Sequence, residues 1–512
     1  MTLVERVFSL LRGKRHTIVR DVVLPRPLDD VPGLVAAAGP RVLLDRATSA
    51  SVHAKRAYAV LDPRFRLVAF RASGLVPRAM PWDDATCPPR LVARARTVVT
   101  FGEEREEHDG CPFMLAEALL AAARGSSHPD APPFACGLVG TIAYGAAAFL
   151  DTLPPETREG ADGADIDLLF ADSSVSTASP GALAARIHVV GRGATDDEAR
   201  ADAEARESRL FALLASPLEP DAPRVERAIA RASYGERSYS DLVERAKAHL
   251  VAGDVFQLCL THTVALEPAP APHALFAELR RSNPAPFSAY FLTPDTHLVS
   301  SSPERFLRVH EGTVETRPIK GTRPRGHTPA DDERLADELA RSEKDGAEND
   351  MIVDLLRNDL ARVAEPGSVV VRERRIVERH PTVLQLVSTV VGTLRPGLGP
   401  IDVLRSAFPG GSMTGAPKAR AVELLAELEP RPRGVYSGTL VYIDERGTMD
   451  ASIVIRSVTF SGDRATFGVG GGIVLDSVPE DEWRETLAKA RALVEAAGAA
   501  LGAEMRWELD GS

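Results

Sequence analysis

Strand-like runs that follow one another with little between them constrain the fold of this chain more than any other feature. In the carboxy-terminal half, HLVSSSP, GSVVVRERRIVER and ASIVIRSVTF are rich in β-branched residues and are interspersed with strongly amphipathic helical stretches. A strict strand–helix–strand succession would point to a parallel sheet. Strands following strands predict an α+β fold instead, with large, mostly antiparallel sheets and helices packed on the outside. At 512 residues the chain is long enough for more than one domain. Residues 216–226 (SPLEPDAPRVE) are proline-rich and charged, as linkers are. They divide an amino-terminal region, 1–225, from a carboxy-terminal region, 226–505.

A formal net charge of −11 argues against a general nucleic-acid surface, which needs a basic footprint. It leaves room for a small anionic substrate held by a local cluster of donors. Cys87, Cys111, Cys136 and Cys259 show no CxxC or metal-ligand spacing and read as thiols of a reducing compartment. The amino terminus, MTLVERVFSLLRGKRH, scatters charges through its apolar residues and lacks a signal-peptide core. Residues 132–150 run 19 positions without a charge, long enough to span a bilayer. However, two prolines open that run, and Gly137, Gly140, Gly145, Thr141 and Tyr144 interrupt it, so a buried core segment is predicted. The expectation is a cytoplasmic protein with no membrane span and no nucleic-acid partner.

Two acidic helices carry the first chemical signal. In RSEKDGAENDMIVDLLRNDL, Asp345 and Glu348 are three apart and share a helical face, with Met351, Ile352, Leu355 and Leu356 forming the apolar stripe. SVPEDEWRETLAKARAL opens with a capping-box pattern, Ser477 to Glu480, and its Glu482, Glu485 and Lys489 lie on one face. Two such carboxylate pairs suit a hard divalent cation such as magnesium, with positions left for a substrate carboxylate and water. The same spacing also describes solvated surface faces.

Two glycine-rich loops add a weaker signal. FPGGSMTGAPKARAVELL leads into a helix with Pro417 expected in its first turn, but Gly415 is followed by Ala-Pro, so it is not a Walker loop. FGVGGGIVL ends a strand on Gly470, Gly471 and Gly472, where backbone can approach a carboxylate closely. Plain turns would explain both. Of 61 basic residues only seven are lysines, and Lys320, Lys418 and Lys489 fall within these motifs. In so arginine-rich a chain, a motif lysine hints that an amine is needed rather than charge alone.

In this order GDVFQLCLT, SSPERFL, PIKGTRPRG, AENDMIVDLLRNDLARV, FPGGSMTGAPKARAVELL, GVYSGTLVYID, ASIVIRSV and GVGGGIV…EDEWRETLAKARAL resemble the chorismate-utilising family. That family includes anthranilate synthase component I, aminodeoxychorismate synthase component I, isochorismate synthase and salicylate synthase. The resemblance covers about residues 235 to 495 and continues more loosely through VLLDRA, RAYAVLDP and GLVGTIAYGAAAFLDTLP. It implies an anthranilate synthase component I-like fold. It also implies that Glu348 and Glu485 bind magnesium, with Asp345 and Glu482 beside them. The family has Glu at position 345, so the shorter Asp would reach the ion through a water. The metal would hold the ring carboxylate of chorismate. Tyr436, Arg456 and the backbone of Gly472 match positions that bind its enolpyruvyl end. Lys489 matches a contact to a substrate carboxylate, and Ser412 a hydroxyl that helps bind the substrate.

Glu304 of SSPERFL matches the general acid that protonates the departing C4 hydroxyl. Hydroxide leaves poorly, so the proton is chemically required, and a carboxyl that donates it near neutrality needs a raised pKa. Two positions narrow the reaction. Water-adding relatives carry lysine where this chain has Gln257, which cannot act as a base. Anthranilate synthases typically read PIAGT where this chain reads PIKGT, and Lys320 resembles aminodeoxychorismate synthase. A neutral lysine there can serve as a temporary nucleophile. Without that motif's precedent, Lys320 reads as the partner of a carboxylate.

Gln385 stands where the family often has histidine, and Arg46 replaces the serine of a tryptophan-binding element, which puts tryptophan inhibition in doubt. No G-x-C-x-G nucleophile loop occurs, so the resemblance implies a separate glutamine amidotransferase subunit that supplies ammonia. No fused lyase is recognisable after residue 500, so release of 4-aminobenzoate, a folate precursor, would fall to another enzyme. The expected assignment is aminodeoxychorismate synthase component I. Its alternatives are anthranilate synthase component I with an unusual lysine and a non-catalytic chorismate-binding subunit.

Overall fold

Every residue of strand Arg41–Asp45 is buried, yet its side chains serve two different cores. Val42 and Leu44 point into one apolar cluster and Leu43 into another, as the two-residue period of a strand requires. Strand Thr439–Asp444 behaves alike, with Leu440 and Tyr442 on one side and Val441 and Ile443 on the other. A near-continuous apolar run is the signature of a strand covered on both faces. The computed structural model describes residues 1–35, 39–45, 56–78, 90–125, 131–150, 163–179, 181–220, 224–380 and 383–509. The Arg46 position lies outside them, and so does 221–223 of the expected linker.

Among the described residues two large sheets, of 13 and 12 strands, carry the layers. Their facing surfaces meet in a cluster that includes Val42, Leu44, Phe134, Leu169, Phe291 and Tyr442, with the Phe134 and Tyr442 rings 5.1 Å apart. Helices cover the outer faces. Leu3–Arg12, Pro112–Ala123, Glu343–Ala361 and Pro400–Ala407 pack on the 12-stranded sheet. Asp196–Leu214, Glu236–Val251, Pro272–Ser282, Lys418–Leu428 and Pro479–Leu501 pack on the 13-stranded one. Among the described residues, pairing is antiparallel except where Ala228–Ala232 runs parallel to Met505–Leu509. The architecture is thus α+β with outer helices, as the strand succession predicts.

Each sheet joins one block of strands from before residue 225 to one block from after it. Phe287–Leu292 pairs with Arg41–Asp45, and Thr439–Asp444 with Gly137–Ile142. The uncharged stretch 132–150 supplies that last strand, all six residues of which are buried. Among the described residues no helix is long and apolar enough to cross a membrane. Beneath the amino-terminal strands lies a buried ionic cluster. Asp172 accepts from Arg64 at 2.6 Å and pairs with Arg192 at 2.9 Å, and the Cys136 thiol donates to it at 3.4 Å. Two guanidiniums hold this carboxylate far below its ordinary pKa despite full burial.

Candidate active site

Helix Glu343–Ala361 starts at Ser342, whose hydroxyl accepts from the Asp345 amide at 3.3 Å, and this sets Asp345 and Glu348 on one face. Helix Pro479–Leu501 begins differently from the capping-box expectation. Val478 occupies the cap with no side-chain hydrogen bond, because Pro479 fixes the first helical position. Ser477 lies one residue further out, where its hydroxyl donates to Glu482 at 2.7 Å and accepts from the Val474 amide at 3.1 Å. Pro417 shows a similar offset, capping helix Lys418–Leu428 rather than lying within it.

Strand Ile319–Pro324 brings Lys320. Its pairing with Val383–Thr393 slips between Ile319 and Thr322, so Lys320 and Gly321 form a bulge opposite one fewer residue. Bulges re-aim side chains, and this one turns Lys320 toward the helices. Across the cavity, strand Arg464–Ile473 lays its glycines under Lys489, whose ammonium donates to the Gly470 carbonyl at 2.8 Å. The Tyr436 ring occupies the space a Cβ on Gly468 would need, 2.2 Å from the nearest ring carbon. Arg456 adopts a left-handed backbone, φ 52°, while its guanidinium donates to the Lys489 carbonyl. Such a conformation costs on the order of 1–3 kcal/mol in a non-glycine residue, which is typical of functional sites.

These elements enclose a cavity of about 1070 Å³, large enough for a drug-sized ligand. Eleven of the twelve residues singled out in the sequence line it: Lys320, Glu304, Ser412, Tyr436, Arg456, Gly472, Lys489 and the carboxylates Asp345, Glu348, Glu482 and Glu485. Gln257 does not. It is buried behind Gly472, its Nε2 against that glycine and its Oε1 without a partner among the described residues. Gln385 also lines the wall. Lys418 points elsewhere, into a buried pair with Asp359 at 2.7 Å, so its scarcity signals a structural anchor.

Burial pushes the Glu304 carboxyl up to about 7, while the Ser412 hydroxyl and the charges of Lys320 and Lys489 pull it back. A carboxyl titrating there is matched to proton donation near neutrality. Burial also raises Glu348, which Lys320 and Lys344 offset and Glu485 and Asp345 reinforce. Burial alone would raise Glu485, but Lys489 at 2.6 Å leaves it below its ordinary value. Lys320 makes no hydrogen bond or ion pair with any described residue, though its charge reaches Glu304, Glu348 and Glu485.

The sequence matches the family of chorismate binding enzymes over residues 78–495. This chain belongs to that family. It is 38% identical over 443 residues to an aminodeoxychorismate synthase of Streptomyces griseus, covering 85% of this chain but only 60% of the relative. It is 36% identical over 425 residues to anthranilate synthase component 1 of Pseudomonas putida, covering 80% and 85%. Anthranilate synthase component I from Streptococcus pneumoniae TIGR4 has the same architecture, with a TM-score of 0.69 and 26% identity over 87% of this chain and 93% of that one. Family members bearing two names match about equally well, so the choice between them falls to individual side chains.

A divalent cation suits the donor set of this chorismate-binding fold. Glu348 and Glu485 face one cavity, and the charge of Glu485 raises the cost of ionising Glu348, a repulsion a hard cation relieves. Asp345 is engaged by Arg323 at 3.0 Å and Glu482 by Ser477, so the two glutamates are the better placed pair. Among the described residues no three acidic, histidine or cysteine side chains converge on one point.

Two supporting sets become visible only in the fold. Arg433 chelates Glu429 and donates to the carbonyls of Met413 and Cys259, bracing the wall from behind. Gly321 and Arg323 follow Lys320 on its strand and both meet Asp345. Both lie in the motif PIKGTRPRG, but only tertiary contacts reveal what they meet.

Proposed function

We propose that this chain is aminodeoxychorismate synthase component I, which replaces the C4 hydroxyl of chorismate with an amino group. The observation that supports it is Lys320, unpaired among the described residues and facing the cavity of a carboxyl whose pKa burial brings to about 7. The neutral Lys320 amine attacks C2. The two ring double bonds shift toward C4, and the C4 oxygen leaves as water with a proton from Glu304. Ammonia then bonds to C4, the double bonds shift back, the C2–N bond breaks to regenerate neutral Lys320, and the new C4 ammonium returns a proton to Glu304. The balance is chorismate plus ammonia giving aminodeoxychorismate plus water.

Arg456, Tyr436 and Lys489 would hold the substrate's anionic groups, and Ser412 orients the acid. A magnesium ion held by Glu348 and Glu485 would supply charge for the ring carboxylate. Ammonia would come from a separate glutamine amidotransferase subunit, and product release as 4-aminobenzoate from a further enzyme.

Anthranilate synthase component I is the second reading, favoured by the relatives of that name. The test is incubation of the purified chain with chorismate, magnesium and a large excess of ammonium near neutral pH, where Glu304 still holds its proton in part, with and without a lyase. Aminodeoxychorismate, turned to 4-aminobenzoate only when lyase is added, is expected. Fluorescent anthranilate without lyase would sink the proposal, and no chorismate consumption would favour a binding subunit. Lys320→Ala should lose C4 amination; a variant with the wild-type rate and product would rule out the covalent route.

A further inference from the structure

Lys320 is a long, flexible side chain on a bulge, and a bulge alone does not hold a nucleophile at one point. Its neighbours do. Gly321 has φ 78°, and a Cβ there would stand 2.8 Å from the Asp345 Cγ, so the backbone just after Lys320 rests directly on the Asp345 carboxylate. Two residues on, Arg323 donates to that same carboxylate through Nη2 at 3.0 Å. Through Nε, Arg323 also donates to Glu338 at 3.0 Å, on helix Pro329–Arg341. Asp345 itself is fixed in the first turn of its helix, where its amide bonds Ser342, and three residues later that helix carries Glu348. One guanidinium therefore ties the Lys320 strand to two helices. The pair is partly solvated, with side chains 26% and 18% exposed, so it adds little stability. What it fixes is geometry.

We propose that Arg323 and Asp345 are positioning residues that aim Lys320 into the cavity, with Gly321 as the contact that lets the strand approach. This rests on Lys320 being the nucleophile. The family-derived expectation placed Asp345 beside the metal; here it serves the strand opposite. It also accounts for the shorter Asp at this position, because the carboxylate must stop against the Gly321 backbone.

The experiment mixes each enzyme with chorismate and magnesium but no ammonium, and follows the Lys320 adduct by mass spectrometry as a gain of chorismate less water. Magnesium affinity is measured separately by calorimetry without substrate, and unfolding midpoints confirm that each variant is folded. Arg323→Gln and Asp345→Asn should each slow adduct formation about tenfold or more, since small misplacements of reacting groups cost that much. The double variant should be no slower than the worse single, because the two act as one unit. Arg323→Lys should recover part of the rate, and magnesium affinity should stay within about twofold throughout. If Asp345→Asn weakens magnesium binding tenfold while Arg323→Gln leaves the adduct rate unchanged, Asp345 belongs to the metal site and the inference is wrong. Unchanged adduct rates in both single variants would overturn it as well. A wild-type enzyme that turns over without ever carrying the adduct would fail at the earlier step, the reading of Lys320, and would take this inference with it.

Discussion

The Ser412 hydroxyl lies on the cavity wall with the Glu304 carboxyl, where it favours the ionised form and opposes the burial that pushes Glu304 up to about 7. Glu304 must be protonated to act as an acid, so kcat/KM for chorismate at saturating free ammonia should fall as pH rises through about 7. Ser412→Ala removes a stabiliser of the ionised form. Its alkaline limb should therefore move to higher pH. A limb that stays in place or moves down would mean that Glu304 is not the group being titrated.

The same carboxyl should trade stability for activity. Its folded-state pKa is raised, so its contribution to stability is fully present below the ordinary carboxylate value and is lost as pH rises through about 7. Above that pH the folded protein holds a buried charge, at a cost of roughly 3 kcal/mol for a shift from 4.5 to about 7. Glu304→Gln should lose about 10²–10⁴ in rate. Denaturant unfolding should show the variant about as stable as wild type at pH 4, and about 2–3 kcal/mol more stable at pH 8. Equal stability at both would place the carboxyl in water.

How much of this was legible in the sequence depends on how far apart the interacting residues lie. Helix faces and strand periods are local, so the layers, the Asp345–Glu348 pair and the Glu482–Glu485–Lys489 face could be read directly. The motif resemblance brought Glu304, Lys320 and Arg456 together, although 152 positions separate the outer two. What escaped were contacts set by register and approach. Ser477 looked like a cap, but Pro479 fixed the helix start so that its hydroxyl turns to Glu482. Gln257 was expected beside the substrate, yet the pairing of its strand with Arg464–Ile473 leaves it behind Gly472. Nothing in a one-dimensional pattern announces that Gly321 will meet Asp345, or that Arg433 will hold the carbonyls of Met413 and Cys259.

Tyr436 depends on Gly468 in the same way. A methyl group at 468 would stand 2.2 Å from the Tyr436 Cδ1, inside any tolerable contact, so the ring must move. The aromatic side chain is nearly buried and has little room to retreat other than into the cavity. Gly468→Ala should therefore raise KM for chorismate by about tenfold, with a smaller effect on kcat, because it disturbs ground-state and transition-state binding together. Steady-state kinetics, with a melting curve to establish folding, check this. An unchanged KM would remove Tyr436 from the substrate site.

Lys489 and any divalent cation compete for Glu485. The ammonium sits 2.6 Å from the Glu485 carboxylate and, with Lys344 and Lys320, keeps it ionised despite burial, which would otherwise raise its pKa. Glu485→Gln should raise the magnesium concentration needed for half-maximal binding by roughly ten- to a hundredfold. Lys489→Met should do the opposite to the metal, tightening it by removing a like charge, while weakening chorismate if that ammonium meets a substrate carboxylate. Calorimetry with magnesium alone separates the two effects, since no turnover is needed. If Glu485→Gln titrates as wild type does, Glu485 is no ligand. If Lys489→Met weakens magnesium as well as chorismate, the lysine organises the site instead of competing for it.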